Sequence, residues 1–255
     1  MEKHRIVSHA DWIDARKEFL DKEKAFTRLR DDISRQRREL PWERVEKNYV
    51  FDAEEGKVTL GDLFAGKSQL VVYHFMFDPG WEAGCKSCSF WADNYNGIIV
   101  HLNHRDANLV AISRAPLAKL LAYRKRMGWS FRWVSSAGND FNFDYQVSAT
   151  PEEKSSGKAM YNYELTEFPS DERPGASVFS KNAAGEVFHT YSSYGRGLDM
   201  FIGAYHFLDI APKGRDEEGL AWSMAWVRHH DRYEGAAVDA KATYVQPKSA
   251  ASCCE

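Results

Sequence analysis

Hydrophobic positions along this chain change their period several times, and each change predicts an element. From residue 8 to residue 40, Trp12, Ala15, Phe19, Ala25, Phe26, Leu29 and Ile33 recur at threes and fours among many charges. That spacing predicts helix, with Ser8 as its cap and Pro41 as its stop. So narrow a stripe on so polar a stretch suits an arm laid on a core or on another subunit. From Tyr49 the pattern turns short and strand-like: Tyr49 to Asp52, a turn at Glu55-Gly56, Lys57 to Leu60, then a brief helical turn near Asp62 to Phe64. Gln69 to Phe77 is almost continuously apolar, rich in β-branched and aromatic residues, and ended by Asp78-Pro79-Gly80, the pattern of a central strand.

Beyond it Phe90, Trp91, Tyr95, Ile98, Ile99 and Leu102 recur at helical spacing, which sets Cys85 at or near a helix N-terminus. Asn108 to Ser113 reads as a second strand, Pro116 opens a helix running to Met127 with Gly128 as terminator, and Trp129 to Ser135 alternates as a third strand. Strands alternating with helices are a parallel α/β signature. Residues 137–173 show no period and are too long for a simple connection, which predicts an insertion or lid. Ala176 to Ser180 and Glu186 to Tyr191 then flank Asn182 to Gly185 as a hairpin, and a helix from Leu198 to Ile210 closes the fold. The expected organisation is a helical extension over 1–46, an α/β domain over 47–234, and a flexible Ala-, Lys- and Ser-rich tail over 235–255.

Composition narrows the function classes. The 255 residues are 44% hydrophobic and 28% charged, ordinary for a globular protein. With 34 Lys+Arg against 37 Asp+Glu, the net charge of -3 supplies no general positive field for nucleic acid or anionic lipid. The longest apolar run falls far short of the roughly 20 residues of a membrane helix, and the charged start Met1-Glu2-Lys3-His4-Arg5 leads into no apolar signal segment. A cytoplasmic protein without membrane or nucleic-acid partners is expected.

The four cysteines come as two pairs, Cys85/Cys88 and Cys253/Cys254. Without an export signal, a close pair points to redox chemistry or metal binding. Cys85-Lys86-Ser87-Cys88 follows a buried strand and starts a helix. Helix N-terminal N–H groups and the Lys86 charge would stabilise a thiolate at Cys85, and the three-residue spacing lets Cys88 close a disulfide on it. The other reading is a soft-metal site for Cu(I) or Zn(II), with His74 or the tail pair as further ligands. His101 and His104 lie some four helical turns away. Adjacent cysteines such as Cys253/Cys254 bond to each other poorly, although on a mobile tail they could reach the Cys85/Cys88 disulfide or deliver a metal ion.

Val71 to Phe77, Gly84 to Asp93, Ser113 to Pro116, Arg126 to Trp129 and Tyr194 to Asp199 together resemble a bacterial family of thioredoxin-like proteins of unknown function, labelled as predicted dithiol-disulfide oxidoreductases. The resemblance covers nearly the whole chain. It implies an α/β, thioredoxin-like fold with peroxiredoxin-type N-terminal strands, to which the patterns above add the helical extension and the insertion before the final hairpin. It also implies that Pro174, in Arg173-Pro174-Gly175, is a cis-proline facing the active pair. Two positions depart from related patterns. Gly84 stands where thioredoxins carry Trp, with Trp81 upstream as a candidate roof over the site. Glu82, an acceptor-only carboxylate when ionised, stands where peroxiredoxins place a hydroxyl, which weakens a peroxidase reading.

Among other residues, His74 suits a satisfied core histidine, and Arg114, at the C-terminal end of a strand, suits either an anionic substrate or a surface ion pair. His229-His230 and the aromatic run Phe141 to Tyr145 suit pocket lining at most. The expected function is thiol-disulfide exchange, with Cys85 as nucleophile, Cys88 resolving, Pro174 and Lys86 assisting, and Trp81, Gly84 and Arg114 on the substrate side. Its partners would be a disulfide substrate and a cellular thiol reductant, with no bound organic cofactor. The alternatives are a non-catalytic soft-metal binder and, more weakly, a peroxidase. The charged N-terminal helix hints at a homodimer.

Overall fold

The computed structural model describes residues 4–167 and 170–234, and the backbone of 236–238 and 245–247. The chain divides into two compact units between Trp42 and Glu43. The first holds α1 (His9–Arg38), a helix of 30 residues whose N-cap Ser8 accepts from the Asp11 N–H. No residue of α1 is buried. Ion pairs along its face, Arg35 with Asp32 and Glu39 and Arg16 with Glu23, support the helix locally.

The second unit is built on one sheet of eight strands: β1 (Glu43–Arg44), β2 (Val50–Ala53), β3 (Gly56–Thr59), β4 (Gln69–His74), β5 (Ala107–Ser113), β6 (Arg132–Ser135), β9 (Gly175–Lys181) and β10 (Val187–Tyr194). β7 (Ala159–Tyr161) and β8 (Glu164–Thr166) form a separate hairpin. The sheet order is β1-β10-β9-β4-β5-β6-β2-β3. β4 and β5, and β5 and β6, run parallel, whereas β9 pairs antiparallel with both β4 and β10. β1 pairs with β10, which is why this unit begins at Glu43, ahead of the boundary expected after residue 46.

The helices are α2 (Lys86–Ala92), α3 (Tyr95–His104), α4 (Leu117–Arg126), α5 (Phe141–Asp144), α6 (Pro151–Ser156) and α7 (Gly203–Ile210). Side chains alternate between the two faces of the sheet, as strand geometry requires. Tyr73, Leu109, Ala111 and Trp133 point to a cluster completed by Cys88 and Trp91 of α2, Leu120 of α4 and Tyr205 of α7. Leu70, Val72, Val110, Ile112 and Val134 point the other way, against Phe51, Val58 and Phe141. Two parallel strand–helix crossovers followed by an antiparallel hairpin, with the β2–β3 hairpin added on the β6 side, make this a mixed α/β, thioredoxin-like fold.

Several elements differ from expectation. The helix expected through Phe90 to Leu102 is two, because the Asn94 side chain donates to the carbonyls of Phe90 and Trp91 and closes α2. β6 starts at Arg132 and not at Trp129: Ser130 N–H is taken by the Asn96 side chain, and Trp129 N–H by the Arg124 carbonyl. The last helix is a 3-10 stretch, Gly195–Phe201, then α7, with Ile202 extended between them. The aperiodic 137–173 segment contains α5, α6, β7 and β8, with a Thr150–Glu153 capping box starting α6. Most of the tail, Cys253 and Cys254 included, lies outside the described residues.

Candidate active site

The parallel strands β4 and β5 end at the same side of the sheet, where α/β folds gather their chemistry. After β4 the chain runs through Phe75 to Gly84 and turns back so that the Cys85 N–H donates to the Met76 carbonyl at 3.1 Å. Cys85 is the N-cap of α2, with extended backbone (φ -53°, ψ 131°). It is half-buried, and Cys88, one turn on, is 2% exposed. Both are free thiols.

Their environments set them apart. Cys85 is pulled down to about 7, chiefly by the hydrogen bond from the Cys88 thiol, helped by the backbone N–H groups of Cys88 and Ser87 and by the charge of Lys86. Burial pushes Cys88 well above an ordinary thiol, and its bond to Cys85 pushes the same way. The Tyr73 hydroxyl and the Met76 N–H act in the opposite sense on Cys88. The arrangement can hold a thiolate on the half-exposed sulfur and a proton on the buried one.

Gly84 explains itself sterically. A Cβ there would lie 2.6 Å from Cε1 of Phe75 and 3.0 Å from Cε1 of Tyr123, so no side chain fits where thioredoxins carry Trp. Trp81 packs against the cluster that holds Cys85, and its carbonyl accepts from Lys119 Nζ at 2.8 Å. Lys86 acts on Cys85 through its charge, while its ammonium donates to the Ala225 carbonyl at 3.0 Å and lies 4.7 Å from the centre of the Trp222 ring.

Arg114 is engaged by protein. Its Nη1 is 2.8 Å from Glu172, a carboxylate 1% exposed that also accepts from Ser148, and its guanidinium sits 4.7 Å from the Phe143 ring centre. Burial raises Glu172 to about 7 against the pull of Ser148 and Arg114. The expectation of a cis bond at Pro174 is corrected, since the described residues contain no cis peptide. The trans form is the intrinsically favoured one. Here Arg173 N–H bonds to the Val147 carbonyl, and Tyr161 donates to the Pro174 carbonyl at 2.8 Å, holding the segment in extended form.

Three sets of residues around the site have no assigned role in the sequence reading, which gives His229-His230 pocket lining at most. Tyr73 of β4 and Tyr95 of α3 share the buried cluster of Cys88, and Tyr161 of the insertion, bonded to Pro174 and Gly195, is raised in part by the charge of the same sulfur. The segment from Trp222 to Tyr233 straps over α2: His229 Nε2–H donates to the Gly84 carbonyl at 2.9 Å, His230 pairs with Asp93, Arg126 pairs with Asp231, and Trp226 meets Phe90 edge-on. Burial lowers His229, while Asp93 raises His230. Glu172 is the third. Its only sequence cue was its place just ahead of Pro174.

No group of three or more His, Cys, Asp or Glu residues among those described is arranged to hold a metal ion. His74 packs on the opposite face of the sheet, stacked on Tyr145 with its Nε2 at 2.7 Å from Ser177. Nor is any described helix long and apolar enough to cross a membrane.

The fold and the paired cysteines define a thioredoxin-like protein with a dithiol at the start of a helix. The chain belongs to a family described as bacterial protein of unknown function (DUF899), whose model matches residues 1–233. No curated protein is significantly similar in sequence. Among solved structures it is similar to peroxidoxin BcpB from Mycobacterium tuberculosis, at 12% identity over 64% of this chain and 94% of that one, with a TM-score of 0.41. A peroxiredoxin Q from Xanthomonas campestris is similar at 11% identity over the same shares of the two chains, with a TM-score of 0.44. A hypothetical protein from Sinorhizobium meliloti is similar at 13% identity, over 60% of this chain and 70% of that one, with a TM-score of 0.39.

Proposed function

We propose that the protein is a thiol-disulfide oxidoreductase in which Cys85 attacks a substrate disulfide and Cys88 resolves the mixed disulfide. The observation that carries this reading is the asymmetry of the pair: Cys88 is 2% exposed inside the core, whereas Cys85 caps α2 and is only partly buried. Attack by the Cys85 thiolate breaks the substrate S–S bond and releases one substrate thiol. Cys88 then attacks the Cys85 sulfur, and the second substrate thiol leaves with the proton that Cys88 gives up. Electrons return from a thiol reductant of the thioredoxin or glutathione class. Trp81 and the strap would border the substrate.

Differential alkylation followed by mass spectrometry, across buffers of defined redox potential, tests the proposal. Reversible pairing of Cys85 with Cys88 within roughly -120 to -270 mV is the expected result. Cysteines that never pair, or that stay protected until a chelator is added, would replace disulfide exchange with soft-metal binding.

A further inference from the structure

The resolving step has a difficulty that the first step lacks. In the mixed disulfide Cys85 is no longer a thiolate, so Cys88 loses the acceptor of its hydrogen bond while remaining 2% exposed among aromatic rings. A thiol so enclosed is a poor nucleophile unless something stabilises its anion. The groups that act on Cys88 are Cys85, the Met76 N–H and Tyr73, while Tyr95 and Tyr161 feel its charge from two further elements. Tyr161 is already occupied, donating to the Pro174 carbonyl and accepting the Gly195 N–H. Tyr95 lies close enough to feel the charge of Cys88 but makes no hydrogen bond to it.

Tyr73 is different. Its ring is fixed near the C-terminal end of β4, between Ala111 of β5 and Ala176 of β9, and is met edge-on by Trp91 at 4.6 Å and Tyr95 at 5.5 Å. Its hydroxyl is buried and makes no hydrogen bond, to sulfur or to any other atom, in the resting protein, a state that costs free energy and leaves its proton unspent. The ring it belongs to packs on Trp91, three residues beyond Cys88 on α2, in the same buried cluster as the sulfur, and its hydroxyl acts to lower Cys88.

We propose that Tyr73 is the hydrogen-bond donor that lets the buried Cys88 act as a nucleophile, its phenol holding the sulfur as the thiolate forms and attacks Cys85. The inference rests on the dithiol reading above and assigns its second step. The Cys88–Cys85 S–S bond forms as the Cys85–substrate S–S bond breaks. The electron pair leaves on the substrate sulfur, which ends as a thiol carrying the proton lost by Cys88, and Tyr73 keeps its own proton throughout.

The test is Tyr73→Phe, which removes one oxygen from a site that already fits a ring, with Tyr95→Phe as the control. Reduced protein mixed with excess dithiobis(nitrobenzoate) releases one chromophore when Cys85 attacks and a second when Cys88 resolves. In Tyr73→Phe the first release should stay within about twofold of wild type. The second should slow about tenfold near neutral pH and its midpoint should rise by about one pH unit. Tyr95→Phe should shift neither. An unchanged second release in Tyr73→Phe, or an equal effect of Tyr95→Phe, overturns the assignment. If the Phe variant does not fold, 3-fluorotyrosine at position 73, a more acidic phenol, should move the midpoint down, and no movement rejects the proposal. If wild type releases no second chromophore, the dithiol reading falls, and with it a resolving role for Tyr73. The pH profile of Cys88 alkylation in Cys85→Ser, with and without Tyr73→Phe, tells that failure apart from the loss of the hydrogen bond alone.

Discussion

Tyr73 and His74 are neighbours on β4 that face opposite sides of the sheet, and the two polar groups enter networks of opposite character. Behind His74 a run of hydrogen bonds leads from Nε2 to Ser177, Ser192 and His189, at 2.7, 2.8 and 2.7 Å. Burial brings His74 down to about 3, so it stays neutral across the physiological range. Behind Tyr73 lies a thiol pair in which burial acts unequally, silencing Cys88 while leaving Cys85 ready to ionise. Both sides are buried and polar and both runs end on a partly exposed residue, His189 on one face and Cys85 on the other, but only the thiol pair ends on a group that burial and its neighbours leave close to ionising at neutral pH. Burial of a titratable group therefore leaves a neutral imidazole on one face and a divided thiol pair on the other, according to what stands next to it.

The largest effect expected from breaking this contrast comes from the thiols themselves. Cys85→Ser should bring reduction of a model disulfide down to the rate without protein. Cys88→Ser should allow one turnover and stop at a mixed disulfide, visible as a mass addition on Cys85. Equal activity of the two variants would erase the distinction between the sulfurs. Next is Gly84→Ala, whose Cβ collides with the ring of the fully buried Phe75. It should cost about 1–3 kcal/mol in urea unfolding and disturb the Cys85 alkylation profile as well. Wild-type stability in this variant would show that the turn before Cys85 is loose.

On the opposite face, His74→Phe should cost about 1–2 kcal/mol at pH 7 and leave the Cys85 profile where it was. It should also change the acid limb of the stability curve. His74 has a folded value near 3 against 6.5 when unfolded, so its contribution is complete above 6.5 and declines as pH falls toward 3. The slope reaches about 1.4 kcal/mol per pH unit. Glu172, raised from 4.5 to about 7, acts in the reverse sense between those values, and the His74→Phe difference isolates the histidine. A shifted Cys85 profile in this variant would mean that the two faces communicate.

The smallest change is expected from His230→Ala on the strap. Asp93 raises His230, so its contribution is present below the unfolded value and fades as pH rises through the folded one. The variant should lose roughly 0.5–1 kcal/mol at pH 6 and less at pH 8, measured by thermal unfolding in matched buffers. The same loss at both pH values would assign the contact to packing alone.

Local rules recovered much of this molecule. The cap at Ser8, the buried run that became β4, the Pro116 start and Gly128 end around α4, and Cys85 at the head of α2 all follow from spacing and residue type within about a turn or a strand. Where a side chain competed for a backbone group, as Asn94 and Asn96 do, the same rules ran too long or started too early. Gly84 looked like a departure from a pattern and proved to be a steric necessity, since the atoms that exclude a side chain belong to Phe75 and Tyr123.

The alternation of apolar and polar positions was thus enough to announce an α/β sheet and a dithiol at a helix start, because each signal is complete within one element. It carried nothing about which groups surround the two sulfurs. His229 meets a carbonyl 145 positions earlier in the chain, Tyr161 arrives from an aperiodic insertion, and Arg114 finds Glu172 58 positions away. Those contacts arise when separate elements close on a shared core, and their energies depend on distance and burial, which have no trace in local spacing.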